Sequence, residues 1–168
     1  VYAAKNNKKD SFIYFNKVPE RNYNLKKIQN SFLQCYFDTT ETLASFNELI
    51  GNQDYSFSRY NFFLANYLLT KNKISDATKV IKRSKKKYHS NILLKQSEEF
   101  ISKGKIKKIK NFFNCQDPKD AIAEYFYIIA NLLASEKDYQ ASNFYLKISL
   151  FLNKKFTPNK TLLAENLF

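Results

Sequence analysis

Glycine and proline are scarce in this chain of 168 residues, with only two glycines and three prolines. Antiparallel sheets turn about every ten residues and rely on both residue types for those turns. This scarcity argues against a sheet protein. Apolar residues nevertheless make up 44% of the chain and aromatic residues 17%, so a substantial core is available.

Long apolar runs and reactive side chains are also rare. The most apolar stretch, residues 121–134, contains Glu124 and Asn131 and is too short to span a membrane. The single histidine, His89, has no nucleophile or carboxylate at a supporting spacing, and two glycines cannot form a phosphate-binding loop. No acidic residues are paired at a metal-ligand spacing. We therefore expect no enzyme activity, no metal and no cofactor.

The two cysteines, Cys35 and Cys115, have no second cysteine near either of them. This arrangement excludes the short spacings of zinc and redox sites. We interpret both as small, half-buried side chains, with a disulfide as the less favoured alternative.

The net charge is +13, but the basic residues are almost all lysine, with arginine only at positions 21, 59 and 83. Proteins that read nucleic acid rely on arginine, whose planar group suits phosphates and base edges. A surplus of Lys, Asn, Ile, Phe and Tyr is also what the codons of an AT-rich genome produce. No nucleic-acid partner is expected.

Apolar residues recur with helical spacing along nearly the whole chain. Near the C-terminus one stripe contains Ile122, Phe126, Ile129, Ala130 and Leu133. After the polar turn "SEKD" the stripe resumes with Tyr139, Ser142, Leu146 and Ser149. Two amphipathic helices joined by a tight turn form a helical hairpin, and the small residues let the two helices approach closely. The stretch "ANYLLTKNKISDA" (65–77) repeats the hinge of this hairpin 65 residues earlier.

These hairpins resemble tetratricopeptide repeats, which place a small residue, a large residue and an aromatic at the positions of Ala130, Leu133 and Tyr139. The ending "YLKISLFLNKKFTPNKTLLAENLF" is similar to that of bacterial members of the family. The resemblance implies an all-α fold: a right-handed α-solenoid of antiparallel helical hairpins. The chain begins without Met and stops inside an apolar pattern, so we expect a fragment of a longer array.

The predicted array is one domain, residues 1–168, made of six segments. They are the end of a repeat (1–19), a diverged hairpin (24–55), a repeat (58–89), a short repeat (90–118), a repeat (123–156) and the start of a further repeat (157–168). The short repeat is expected to end before Asp117-Pro118, a pair that stops one helix and starts the next.

In tetratricopeptide repeats the first helices line a concave groove that holds peptides, and the resemblance directs Asn66 and Asn131 into this groove. An amide there can bond both the N–H and the C=O of a bound backbone. The family's lysine for clamping a C-terminus is replaced by Phe62 and Tyr127, so an aromatic-lined groove fits better. Arg59 and Glu124 complete the groove candidates. Asn as solvated helix surface is the alternative.

Two lysine-rich clusters are the second candidate surface. They contain Lys82, Arg83, Lys85, Lys86 and Lys87 in the first cluster and Lys105, Lys107 and Lys108 in the second. The resemblance implies that both face the convex side. They are either solvated surface or a patch that attracts an anionic membrane or an acidic partner.

The expected function is therefore a non-catalytic protein–protein interaction scaffold that binds a protein or peptide segment on its concave face. A membrane-surface or assembly adaptor that acts through the lysine-rich patches is the alternative. The sequence leaves open a cytoplasmic or a periplasmic location.

Overall fold

The structure is a computed structural model that describes residues 2–19, 23–51 and 58–167. Within these ranges all regular structure is helical, which confirms the all-α prediction for this part of the chain. A 3₁₀ turn, Ala3–Lys5, precedes α1 (Lys8–Asn16), α2 (Tyr23–Tyr36), α3 (Thr42–Gly51), α4 (Tyr60–Thr70), α5 (Ile74–Lys87), α6 (Ile92–Ser102), α7 (Ile106–Phe112), α8 (Pro118–Ser135), α9 (Tyr139–Leu152) and α10 (Asn159–Glu165).

The chain divides into two compact units, residues 1–106 and 107–168. The first contains α1 to α6 and the second contains α8 to α10, while α7 begins at the last residue of the first unit. Residues 52–55 of the predicted hairpin 24–55 lie outside the described ranges.

Four interhelical turns share one backbone conformation. Each contains a residue with positive φ: Asp38 (48°), Asn72 (59°), Gly104 (66°) and Lys137 (65°). In each turn the amide of the next residue donates to the carbonyl five residues earlier, with N···O distances of 2.7 to 3.1 Å. This bond is the outer bond of the Schellman motif, which ends a helix by satisfying its last carbonyls. The left-handed residues are 34, 32 and 33 residues apart, so the same helix ending recurs at a nearly constant interval.

A small residue lies seven positions before each left-handed residue. These residues are Ser31, Ala65, Ser97 and Ala130, and none is more than 1% exposed. A small side chain there lets a neighbouring helix approach closely. The predicted small positions Ala65, Ser97 and Ala130 are therefore buried as expected, whereas the weaker pattern of residues 24–55 did not single out Ser31.

Helix starts follow the capping residues of the sequence. Asp117 accepts a hydrogen bond from the amide of Lys119 (2.9 Å), and Pro118 occupies the first turn of α8. Asp138 accepts one from the amide of Ala141 (3.1 Å) at the start of α9. Proline at the first helical position and Asp at the N-cap are favoured because they suit amides that lack a helical partner. The predicted boundary at Asp117-Pro118 is confirmed.

Aromatic rings form much of the core of the first unit. Phe32 of α2 lies edge-on to Phe63 of α4 with ring centroids 5.0 Å apart, and it also contacts Phe46 and Tyr60. All four side chains are buried. Such offset and edge-to-face pairs add to the stabilisation from burying the rings.

In the second unit α9 packs along α8, and α10 packs on α9. The core cluster consists of Ala130, Leu146 and Leu162, with Tyr127, Ala134, Tyr145 and Leu163 packed around it. Buried serines add hydrogen bonds: Ser149 donates to the carbonyl of Ala123 (2.7 Å) and accepts from the amide side chain of Asn159 (2.8 Å). These bonds satisfy polar groups that would be costly to bury unpaired.

Both cysteines are disulfide-bonded, so neither Cys35 nor Cys115 is a free thiol. The prediction of two small, unlinked side chains is wrong. Both are buried, as was expected in part. Spacing along a sequence does not reveal which sulfur a cysteine meets in three dimensions, and short-range patterns were the basis of that prediction.

Candidate functional site

The groove candidates of α4 lie in the interior of the first unit. Every side chain from Tyr60 to Leu69 is buried, including Phe62 and Asn66, which is 2% exposed. Arg59 is half-buried, with its guanidinium carbon 5.6 Å from the centroid of the Phe63 ring. Helix α4 packs against α3, α5 and α6, which explains why a helix that is apolar all round is covered on every side.

The matching residues of α8 lie in different surroundings. Asn131 is exposed, Tyr127 is half-buried against the core cluster, and Glu124 is buried. Asn66 and Asn131 therefore hold equivalent places in the sequence pattern but not equivalent environments. A peptide could reach the amide of Asn131 in this structure, whereas the amide of Asn66 is enclosed.

A second feature of α8 is an apolar surface that the sequence pattern did not indicate. Ile122, Tyr125 and Leu132 are 40%, 36% and 59% exposed, and Ile129 is half-buried. Steps of three, four and three residues place these four side chains on one side of the helix. We call these four residues the α8 face.

The α8 face corrects one expectation about packing. Ile122 was expected on the core-facing stripe, but the packed side of α8 is centred on Ala123, Ala130 and Ala134. Ile122 is one residue, and therefore about 100° of helical rotation, away from Ala123. Tyr139, expected to pack just past the turn, is also exposed.

The first lysine cluster lies on α5 and at its end. Lys82, Arg83, Lys86 and Lys87 are exposed, whereas Lys85 is only half-exposed and forms a salt bridge with Glu98 of α6. Lys87 also lies 5.2 Å from the centroid of the Tyr88 ring. Four basic side chains therefore remain on the surface, and Lys85 ties α5 to α6.

The second cluster surrounds the start of α7. Lys105, Lys107 and Lys108 are all exposed. Nearby, Lys103 pairs with Glu99 at 2.6 Å, which holds the pKa of that carboxyl below its usual value. Both sequence-predicted basic clusters therefore present charge to solvent.

Two carboxylates have shifted pKa values with different causes. Asp38 accepts hydrogen bonds from Lys71 and from the hydroxyl of Tyr67 (3.1 Å), and the bond from Lys71 lowers its pKa. Burial raises the pKa of Asp120 to about 6, although the amide of Asn114 donates to its carboxylate (2.8 Å). Asp38 links the turn after α2 to the end of α4, and Asp120 anchors the loop before α8. Both arrangements account for structure rather than chemistry.

Chemical sites are not evident in the described part of the chain. Among those residues no three His, Cys, Asp or Glu side chains converge as a metal site would require. None of the helices described is both long and apolar enough to cross a membrane. The surfaces that stand out are therefore the α8 face and the basic clusters.

Comparison with known protein families, curated proteins and solved structures finds no match to this chain.

Proposed function

We propose that the chain is a tetratricopeptide-like array, a right-handed solenoid of antiparallel helical hairpins, that serves as a non-catalytic scaffold for a protein or peptide segment. Support for the repeat comes from the four equivalent turns 32 to 34 residues apart, each preceded at the same distance by a buried small residue. That interval is close to the 34 residues of the tetratricopeptide unit.

The single observation that supports binding is the α8 face. Three large apolar side chains are exposed together on one helix, and the amide of Asn131 is exposed beside Leu132. Contiguous exposed apolar surface is a mark of interaction sites, since it costs free energy to leave it in water. A partner segment would bury these side chains and use Asn131 for a backbone hydrogen bond. The proposed site has therefore moved from the paired asparagines to α8 alone.

Site-specific photocrosslinking tests this site. A photoreactive residue at position 132 should form discrete protein adducts in the native host, because Leu132 points outward from the proposed contact. The matched control is position 92, since Ile92 of α6 is also 59% exposed. Adding Tyr125→Ser and Asn131→Ala should reduce the adducts at position 132 by about tenfold, through lost apolar contact and a lost hydrogen bond.

Absence of adducts at position 132, or the same adducts at positions 92 and 132, would remove the support for the α8 face. Circular dichroism of each variant should match that of the parent chain, since the changed side chains are on the surface.

A second candidate function is a membrane-surface or assembly adaptor that acts through the lysine-rich clusters. Its support is the exposure of Lys82, Arg83, Lys86 and Lys87 on one helix. Binding through such a cluster should weaken steeply as salt rises, because ions screen exposed charges beyond about 8 Å at physiological ionic strength. The crosslinks at position 132 should persist at high salt if the α8 face is the working surface.

A further inference from the structure

Helix α9 carries a stripe in which aromatic and basic side chains alternate. Phe144 and Phe151 are 59% and 73% exposed, and Lys147 and Lys154 are exposed as well. The steps of three, four and three residues keep all four on one side of the helix and its C-terminal extension. We call these residues the aromatic–lysine stripe.

The stripe lies on the outer side of the second unit. Ser142, Leu146 and Ser149, on the opposite side of α9, are completely buried against α8 and α10. The two phenylalanines are seven residues apart, so their rings project in the same direction about 10 Å from each other. The Nζ of Lys154 lies 5.7 Å from the centroid of the Phe151 ring. Packing within the second unit therefore does not account for the exposed rings.

The charge around the stripe has one sign. Residues 139–164 include four lysines, at positions 147, 154, 155 and 160, and no aspartate or glutamate. All four lysines are exposed. A surface that complements this region must be negatively charged and must also accept two apolar rings.

We propose that the aromatic–lysine stripe binds an anionic lipid surface, with Phe144 and Phe151 entering the headgroup region and the lysines contacting acidic headgroups. Lipid interfaces accept aromatic rings, and lysines near an anionic leaflet are attracted to it. A fluid bilayer needs no matching pocket, which suits rings that project from a convex helix. A protein partner would need two pockets at the spacing of the rings, together with acidic groups between them.

The contrast with α5 identifies the stripe rather than the larger basic cluster. Along α5 the exposed side chains between Lys79 and Lys87 are basic, and none is a large apolar residue. Charge alone gives salt-sensitive attraction, whereas charge combined with inserted rings holds a protein at the interface. Binding through the stripe is independent of the protein-binding function proposed for the α8 face.

Vesicle sedimentation tests the proposal with the whole chain. The protein should bind vesicles of phosphatidylcholine with about 30% phosphatidylserine, and should bind pure phosphatidylcholine at least about tenfold more weakly. Phe144→Ser with Phe151→Ser should reduce binding to the acidic vesicles by about tenfold or more. Lys147→Gln with Lys154→Gln should reduce it by about 10- to 30-fold.

The matched control is Lys82→Gln with Lys86→Gln, which removes the same charge from exposed positions of α5. It should change vesicle binding by less than about threefold. An equal loss in the α5 and the stripe variants would show general charge attraction and overturn the proposal.

Tryptophan fluorescence supplies a second measurement, because the chain has no tryptophan of its own. In the Phe151→Trp variant the emission should shift to shorter wavelength when acidic vesicles are added, since the ring leaves water. Ile92→Trp, at an equally exposed position of α6, should not shift.

Three results would overturn the proposal: no binding to acidic vesicles, unchanged emission of Phe151→Trp, or stripe-dependent binding only to a glutamate-rich amphipathic peptide. The last result would identify the stripe as a protein site instead. None of these outcomes affects the crosslinks expected at position 132.

Discussion

At the scale of single residues, the small positions were the most reliable sequence signal. Ala65 and Ala130 are each 1% exposed or less, and the predicted serines Ser84, Ser142 and Ser149 are also buried. Their size explains the burial, since only small side chains fit where two helix backbones approach. The serines also form hydrogen bonds, as when Ser84 donates to the side-chain oxygen of Asn61 (2.7 Å). Helical periodicity predicted their place but not these partners.

The buried carboxyl of Asp120 predicts a pH-dependent stability of the second unit. Its pKa is about 6 in the folded chain, compared with an ordinary value of 3.8. Because the folded pKa is raised, the folded state holds the proton more tightly, and this contribution to stability is complete below pH 3.8. It is lost as the pH rises through 6, which costs about 1–3 kcal/mol at neutral pH.

Asp120→Asn should therefore increase the free energy of unfolding by about 1–3 kcal/mol above pH 6 and by little near pH 4. The amide oxygen of the variant can still accept from the backbone of Asn114. Urea unfolding followed by circular dichroism from pH 4 to 8 measures the difference. Glu136→Gln makes the same charge change at an exposed position of the unit. A gain at pH 7 no larger than in this control would contradict the predicted cost.

At the scale of helices and turns, the Schellman endings explain why the repeat interval is so regular. Glycine and asparagine suit the left-handed conformation, and they occupy it at Gly104 and Asn72. Lysine does not suit it, yet Lys137 has a φ of 65°. The conformation at this turn is therefore imposed by the helices on either side.

Lys137→Gly should stabilise the second unit by about 0.5–1 kcal/mol, because glycine adopts positive φ without a clash. Lys147→Gly provides the matched control, since Lys147 lies inside α9, where glycine should cost about 1 kcal/mol. Thermal or urea unfolding of both variants tests the pair. Destabilisation by both changes would mean that residue 137 is not held in the left-handed region.

Helix packing shows where sequence reasoning ended. The period of about 33 residues, the turns and the helix boundaries can be read from local patterns. The cover over α4 cannot, because it comes from α3, α5 and α6, which are distant in sequence. The residues "YNFFLANYLL" did contain a signal, since a helix that is apolar all round is usually interior. For α8, repeat register placed Ile122 inside, whereas actual packing exposes it.

At the scale of the whole molecule, the two cysteines bear on where the protein resides. Both are disulfide-bonded in the structure, although their spacing suggested otherwise. Disulfides persist in oxidising compartments and are rare where glutathione and thioredoxin keep thiols reduced. Of the two locations that the sequence left open, the oxidising one is therefore the expected one.

Thiol labelling of the native protein tests this expectation. Cells are quenched with acid, the extract is denatured, and a mass-tagged maleimide is added before or after reduction. The chain should gain no tag before reduction and two tags after it, because the reagent reacts with thiols and not with disulfides. Cytosolic proteins with free cysteines in the same extract should be tagged before reduction, which controls for oxidation during handling. Two tags without reductant would place the chain in a reducing compartment, since neither sulfur would then be oxidised in the cell.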